Sequence, residues 1–209
     1  FDPILVVDSL GTGRIQAAIA DRGWTGRVVY HTADTNLGSA GNLARRLELA
    51  AAAGAEWVFA VNQDGEIRAD SVRKMAQVGR SLPRIGAVYP LRRKVNKEGR
   101  YDFTGKSALP LPFIGEHRAP VEPLVDVHWG SSNGTLYALA PIREGLTPWA
   151  DLFMGWEDMG YGWELERNGW RQVVVTDAPF DDPQEYASHR IGPFTLRVTD
   201  KPAWYAYYQ

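Results

Sequence analysis

Short apolar runs alternate with longer amphipathic segments through the first half of the chain. The runs have the composition of buried strands and cover residues 4–8, 28–31, 57–61 and 86–89. In the segments between them, apolar residues recur at helical spacing, as at Leu43, Leu47 and Ala50, and each segment ends at a glycine or before a proline. Strands that alternate with helices of this length predict a doubly wound, mostly parallel α/β sheet flanked by helices.

The second half is less regular. Residues 91–107 are polar and rich in arginine and lysine, which predicts a solvated hairpin or loop. Beyond it the pattern predicts a strand over 135–139, a helix over 157–168 and a strand over 172–176. Because no later segment has the composition of an independent core, we expect a single domain over residues 1–209.

Composition narrows the classes of function. The 209 residues carry a formal net charge of −2, so the chain lacks the basic surplus of a protein that coats nucleic acid, and we expect no nucleic-acid partner. With no cysteine, disulfides, thiolate catalysis and zinc–thiolate sites are excluded. No apolar run approaches the ~20 residues that a membrane-spanning helix needs.

Two acidic residues follow predicted strands. Asp8 comes after the first apolar run and Asp64 after the third. Ligands bind outside the carboxyl ends of strands in open α/β sheets, where a carboxylate can bind a ribose hydroxyl or a divalent ion. Aspartate is also common in loops between strands and helices, so each residue alone is weak evidence for a site.

Residues 36–42 combine small and amide side chains at the start of a predicted helix. Asn36, Gly38 and Asn42 would let a phosphate or nucleotide approach the backbone N–H groups, whose partial positive charge favours an anion. The alternative is a capped turn in which glycine supplies backbone freedom.

A second helix start carries acidic residues. Trp156, Glu157 and Asp158 open the helix predicted over 157–168, and the helix dipole would keep a carboxylate in the first turn ionised, as a general base requires. The alternative is that acidic residues simply favour that turn. Tryptophan also recurs every seven residues here, at positions 149, 156, 163 and 170, which predicts a stripe that lies mostly in the core.

Taken in order, these segments resemble the motifs of family 2 glycosyltransferases with the GT-A fold, and the resemblance extends from about Ile4 to Tyr208. Residues 4–12 match the strand that ends in a VVDNGST-type turn, and residues 36–42 match the NxGxaxaxN helix start. Residues 58–64 match the strand that carries the metal-binding DxD acid, and residues 130–139 match the sGaxxlxrr strand. Residues 151–158 match the acceptor-side FxgwED motif, and residues 169–171 match the xxGw that follows it. The subgroup with the greatest similarity is the rhamnosyl- and galactofuranosyl-type enzymes of bacterial surface polysaccharide.

The resemblance implies inverting transfer of a sugar from a UDP- or dTDP-sugar to a hydroxyl of a glycan or lipid-linked acceptor. It implies a hexosyltransferase in the cytoplasm, peripherally associated with the inner face of the membrane. It also implies a role for each matching residue: Asp158 is the base, assisted by Glu157; Asp8, Asn36, Gly38, Asn42 and Asp64 bind the nucleotide-sugar; Trp156 and Trp129 bind the acceptor; and Asp64 and His189 hold Mn²⁺ or Mg²⁺.

Departures from the family pattern keep other functions open, among them the turn after Asp8, which reads Ser-Leu-Gly-Thr instead of Asn-Gly-Ser-Thr. Asn62 replaces the first acid of the DxD motif, Glu164 stands near a usual arginine, and the family's first strand is expected before Ile4 but is not present. One alternative is therefore a catalytically inactive nucleotide-sugar or glycan-binding domain of the same fold. The other is a nucleotidyltransferase, which would need a glycine-rich basic loop after the first strand, where only Arg14 follows two glycines.

Overall fold

A computed structural model describes residues 3–62, 65–94, 101–103, 106, 115–117, 122–182, 187–192 and 194–198. The strands are β1 (Ile4–Asp8), β2 (Val28–Thr32), β3 (Trp57–Ala60), β4 (Glu66–Ile67), β5 (Ile85–Lys94), β6 (Tyr101–Phe103), β7 (Gly115–His117), β8 (Leu124–Asp126), β9 (Thr135–Ala138), β10 (Arg171–Asp182), β11 (Ala187–Ile191) and β12 (Phe194–Val198). The helices are α1 (Arg14–Asp21), α2 (Gly38–Ala52), α3 (Ala69–Ser81), α4 (Ala140–Arg143) and α5 (Glu157–Arg167), with a 3-10 turn at Ala150–Leu152.

The central sheet has mixed strand directions. Its order is β3-β9-β5-β10-β4, and β6, β7 and β8 attach beside this path. Among its described strands only β5 and β10 run parallel to each other, whereas β9 is antiparallel to both β3 and β5. Helices flank the sheet, which confirms the predicted α/β class.

The alternating pattern of the first half predicts that its four strands are neighbours in one mostly parallel sheet, and this prediction is wrong. In the described part of the chain β1 pairs only with β2, as a separate parallel ribbon, and β9 lies between β3 and β5. Periodicity reports that a run is buried but not which strand lies beside it. All four residues of β9 are buried, because this strand from the second half of the chain lies in the interior of the sheet. It separates β3 from β5, which the first-half pattern predicts to be adjacent.

Two apolar layers cover the two faces of the central sheet. Successive strand residues point to opposite faces, so Tyr89 and Tyr137 join the cluster that packs against α2 and α5. Their neighbours Val88 and Leu136 join the cluster that contains Met75 of α3. The sheet is therefore buried on both faces, as expected for a three-layer α/β fold.

The polar segment after residue 90 is partly a hairpin, as predicted. Strand β5 continues to Lys94 and pairs antiparallel with β6, so that Arg92 lies opposite Asp102 and Arg93 opposite Tyr101. None of the helices within the described ranges is long and apolar enough to cross a bilayer.

The predicted tryptophan stripe does not lie in the core. Only Trp170 is buried, whereas Trp149, Trp156 and Trp163 are 42%, 44% and 37% exposed. A seven-residue spacing places side chains on one side of a helix without saying which side faces the core. Helix α5 instead buries Tyr161, Gly162 and Leu165.

Candidate functional site

Asp158 lies in the first turn of α5, and its pKa is higher than that of an ordinary aspartate. Burial, together with the neighbouring charge of Glu157, raises the pKa of Asp158 to about 6. The Met159 N–H donates a hydrogen bond to its Oδ1 at 2.8 Å, and this contact and the positive charge of Arg92 oppose the rise. Burial therefore opposes the expected effect of the helix dipole, and the Asp158 carboxyl keeps its proton to a higher pH than an ordinary aspartate. With a pKa of about 6 it is still mostly ionised at neutral pH, as the predicted base requires.

Three buried tyrosines lie on the inner side of α5 near this carboxylate. Burial raises the pKa of Tyr89 and Tyr137, and the charge of Asp158 raises both further. The rings of Tyr137 and Tyr161 have their centroids 5.7 Å apart. The Tyr161 hydroxyl is buried and has no hydrogen-bond partner within the described ranges. A buried hydroxyl without a partner is rare in folded proteins.

Gln172 holds this region together, and sequence reasoning missed it. The Tyr89 hydroxyl donates a hydrogen bond to Gln172 Oε1 at 2.7 Å. The Gln172 side-chain amide in turn donates to the carbonyl oxygens of His128 and Gly162, both at 2.7 Å. A lone amide among the valines of a buried strand was the available signal, since such a group needs partners inside the fold.

Arg46 brings a positive charge from α2 to the same region. Burial lowers the pKa of Arg46, and the nearby Tyr137 and Glu157 counteract that shift. The acidic pair at the start of α5 therefore has a cationic neighbour on each of two elements, Arg46 on α2 and Arg92 on β5. A buried positive charge is favourable beside carboxylates or a bound anion.

Asp8 closes the turn after β1. Its carboxylate accepts hydrogen bonds from the N–H groups of Leu10 and Gly11 at 2.9 and 3.2 Å and from the Tyr30 hydroxyl at 2.8 Å. The bonds from Leu10 and Tyr30 lower the pKa of Asp8, so the group is ionised. These contacts give Asp8 a structural role, and its predicted contact with a nucleotide stays a prediction.

The start of α2 is covered by protein. The Phe153 carbonyl accepts a hydrogen bond from the Ala40 N–H at 3.1 Å, and a side chain at Gly38 would collide with the Phe153 backbone. Asn36 Oδ1 accepts from the Gly38 N–H at 3.0 Å, as in a capped turn. The close backbone approach that glycine permits is therefore made to the segment before α5, and nucleotide binding by Asn36 and Gly38 stays a prediction.

Asn42 connects α2 to the end of β1. Its Nδ2 donates to the Val7 carbonyl at 3.0 Å and to Ser9 Oγ at 3.2 Å. This brings Asn42 and Asp8 to the same end of β1, where the sequence predicted a nucleotide site.

The predicted metal ligands lie largely outside the described side chains. Asp64 falls between described residues, and His189 belongs to β11, where its backbone pairs with Leu196. Nearby, Asn133 Oδ1 accepts a hydrogen bond from the Asn62 N–H at 2.9 Å and fixes the loop after β3. The part of the chain that the structure describes contains no group of three His, Asp or Glu side chains that could hold a metal ion.

The two predicted acceptor tryptophans differ. Trp156 is 44% exposed and adopts a left-handed backbone conformation immediately before α5. Trp129 is only 6% exposed and packs against Gly162, so its ring has no open face for a sugar. The prediction for Trp129 is therefore wrong, because this residue is buried. A side chain at Gly162 would collide with the Trp129 Cα and Cβ, so this glycine lets the backbone at Trp129 pack closely against α5.

Comparison with known proteins places the fold. The sequence matches no protein-family profile and no curated protein. Among solved structures, S. aureus TarS 1-349 in complex with UDP superposes with a TM-score of 0.60 and 17% identity over 87% of this chain and 51% of that one. GalNAc-T7 with UDP, GalNAc and Mn²⁺ superposes with a TM-score of 0.62 and 12% identity, over 88% of this chain and 38% of that one. The chain thus spans about half the length of TarS 1-349 and less of GalNAc-T7, and it has the fold of the GT-A-type nucleotide-sugar glycosyltransferases.

Proposed function

We propose that this chain is an inverting glycosyltransferase domain that uses Asp158 as its general base. The observation that carries the proposal is the partly buried Asp158 carboxyl, whose pKa of about 6 suits proton transfer near neutral pH. It stands at a helix start on a fold of the GT-A type, among buried polar groups that are arranged around it. Perturbed carboxyls of this kind cluster at functional sites.

In the proposed reaction, Asp158 takes the proton of an acceptor hydroxyl as that oxygen attacks the anomeric carbon of the donor sugar. The bond from that carbon to the nucleotide diphosphate breaks, and its electron pair leaves with the diphosphate. Attack from the face opposite the leaving group inverts the anomeric centre. A positioned base contributes ~10²–10⁴ in rate. The negative charge of Glu157 supports the reaction by keeping Asp158 basic enough to accept the proton.

The donor in this proposal is a UDP- or dTDP-sugar. Asp8 and Asn42 lie at the same end of β1, Asn36 and Gly38 lie at the start of α2, and Asp64 follows β3. A Mn²⁺ or Mg²⁺ ion held by Asp64 and His189 would neutralise the diphosphate; the Mn²⁺ in the GalNAc-T7 structure supports this part. The acceptor is a glycan or lipid-linked saccharide of a bacterial surface polysaccharide, with rhamnosyl or galactofuranosyl transfer as the reaction at the inner face of the membrane.

A panel of nucleotide-sugars tests the proposal. A ligand that binds only the native state stabilises it by RT ln(1 + [L]/Kd), or about 2.7 kcal/mol at 100 times Kd. We expect one UDP- or dTDP-sugar to raise the melting temperature, more in Mn²⁺ than in EDTA, and to be consumed when acceptor is added. If no donor in the panel shifts the melting temperature, the proposal is wrong.

One observation favours a second candidate, an inactive nucleotide-sugar-binding domain of the same fold. Asn62 stands at the first DxD position, and its N–H is held by Asn133 in the described loop. This candidate predicts a donor-dependent melting shift without hydrolysis or transfer of the sugar, which the same assay distinguishes.

A further inference from the structure

Three exposed tryptophans lie at the start and along the outer face of α5. Trp163 belongs to the helix, Trp156 immediately precedes it, and Trp149 lies in the segment before that. A Cβ at Gly160 would lie 3.0 Å from Cε3 of Trp149, so the Trp149 ring covers this glycine. Gly160 precedes Trp163 by three residues, and residues at this spacing share one face of a helix. Trp156 stands four positions before Gly160, at the left-handed residue that leads into the helix. The Trp149 indole therefore occupies the place of the missing side chain between Trp156 and Trp163. We call Trp149, Trp156 and Trp163 the tryptophan row.

The row faces outward. Its three rings are 37–44% exposed, while Tyr161, Gly162 and Leu165 form the buried side of α5. Apolar side chains that are exposed together as a large patch mark interaction sites, whereas single exposed apolar residues are common. Seven residues of helix span about 10 Å, which matches the length of two linked sugar rings.

The polar groups beside the row select the class of ligand. Glu157 and Glu164 are seven residues apart and lie along one flank of the row, and exposed Asp151 lies two residues after Trp149 in sequence. Indole faces pack against the C–H faces of sugar rings, and flanking carboxylates accept hydrogen bonds from their hydroxyls. The same carboxylates would be repelled by an anionic lipid surface, which disfavours membrane docking at this face.

The row is also continuous with the proposed catalytic site. It begins at Trp156, and Asp158 follows two residues later, on the inner side of the same helix end. We propose that the tryptophan row binds an extended glycan of at least two sugar rings and anchors the acceptor chain while its reacting end reaches Asp158. This inference rests on the proposed function, whose acceptor it narrows to an oligomeric saccharide.

A printed array of glycans, from monosaccharides to hexasaccharides, tests the row on the whole chain without any donor. Glycans retained by the array are then titrated by calorimetry. We expect oligosaccharides to bind at least about 10-fold more tightly than the monosaccharide of the same sugar. Trp163→Ala and Trp149→Ala should each weaken that binding by about 10-fold, since each removes one aromatic platform. Trp24→Ala is the matched control, because Trp24 is equally exposed at 43% but lies after α1.

Gly160→Ala provides a variant that keeps all three indoles. Alanine suits a helix better than glycine, so the fold should be retained, while the new methyl group forces the Trp149 ring to shift by a few tenths of an ångström. We expect weaker oligosaccharide binding at an unchanged or higher melting temperature. Normal binding by this variant would show that the position of Trp149 is irrelevant.

Other results would overturn the inference. These are an array on which nothing binds, oligosaccharides that bind no better than monosaccharides, unaltered binding by Trp149→Ala and Trp163→Ala, or a dimer of the chain that Trp163→Ala dissociates. The donor-dependent melting shift is measured separately. If a donor still raises the melting temperature but the tryptophan row does not bind oligosaccharides, the proposed function is retained and the inference about the row is wrong. If oligosaccharides bind the row but no donor raises the melting temperature, the proposed function is wrong.

Discussion

The backbone of Phe153 packs directly against Gly38. The Phe153 carbonyl carbon would lie 2.7 Å from a Cβ at position 38, and Gly38 has a φ of +64°. The Phe153 oxygen also accepts a hydrogen bond from the Ala40 N–H. This contact joins the start of α2 to the segment that leads into Asp158, so the two helix starts of the proposed site are positioned together.

Gly38→Ala should therefore destabilise the protein by at least about 2 kcal/mol, since it adds both a collision and an unfavourable φ. Thermal or urea unfolding measures this. Gly26→Ala is the control, because a Cβ at Gly26 meets nothing within 4 Å. A melting temperature that falls no further in Gly38→Ala than in Gly26→Ala would contradict the close contact.

Asp158→Asn should abolish most sugar transfer while donor binding persists. The amide keeps the shape of the carboxylate but accepts no proton, so the rate should fall by roughly 10²-fold or more. Product formation and the donor-dependent melting shift are measured on the same preparation. A variant that transfers sugar at the wild-type rate would exclude Asp158 as the base.

The stability of the same variant shows whether it is folded. A carboxyl whose pKa rises to about 6 on folding favours the native state only while it is protonated, and this contribution is lost as the pH rises through 6. Asparagine does not titrate, so the variant does not lose stability as the pH rises through this range. Asp158→Asn should therefore be more stable than the wild type at pH 8, by about 1–3 kcal/mol, with a smaller difference at pH 5.

The pH profile of transfer should have an acidic limb near pH 6. Asp158 acts as a base only when ionised, so activity should decline as the pH falls through its pKa of about 6. Glu157→Gln removes a charge that raises this pKa, and the limb should move to lower pH. If the acidic limb stays at the same pH in Glu157→Gln, the limb reports the titration of a group other than Asp158.

Tyr161→Phe should leave the stability unchanged or raise it, because the hydroxyl that is lost has no partner in the described part of the chain. If that hydroxyl meets the acceptor, KM for acceptor should rise. Tyr89→Phe is the control: it breaks the bond to Gln172 and should destabilise the fold by about 1–3 kcal/mol. A large loss of stability in Tyr161→Phe would reveal a structural role instead.

Asp64→Ala should abolish Mn²⁺-dependent binding of a nucleotide diphosphate. The melting temperature without ligand should change by only a few degrees, because the sequence pattern predicts a loop at Asp64 and a loop carboxylate contributes little to stability. Calorimetry in Mn²⁺ and in EDTA measures the effect, with His189→Ala expected to weaken binding less. Binding with unchanged metal dependence in Asp64→Ala would exclude Asp64 as the ligand.

The sequence predicted the elements better than their arrangement. The first strand matches β1 from Ile4 to Asp8, and the helical spacing of Leu43 and Leu47 corresponds to α2. These elements are local, because propensity, periodicity and turn residues within a few positions decide them. The place of β9 between β3 and β5 depends on contacts between residues far apart in sequence, which no local pattern encodes.

The candidate site divides in the same way. The sequence by itself determined that an acidic pair opens α5 and that Asp8 ends β1, because residue type and position along an element are local facts. Only the tertiary structure decided that the pKa of Asp158 rises rather than falls, that Trp129 is buried and that Trp149 lies over Gly160. Desolvation and packing depend on which distant segments surround a side chain, and the folded chain alone brings those segments together.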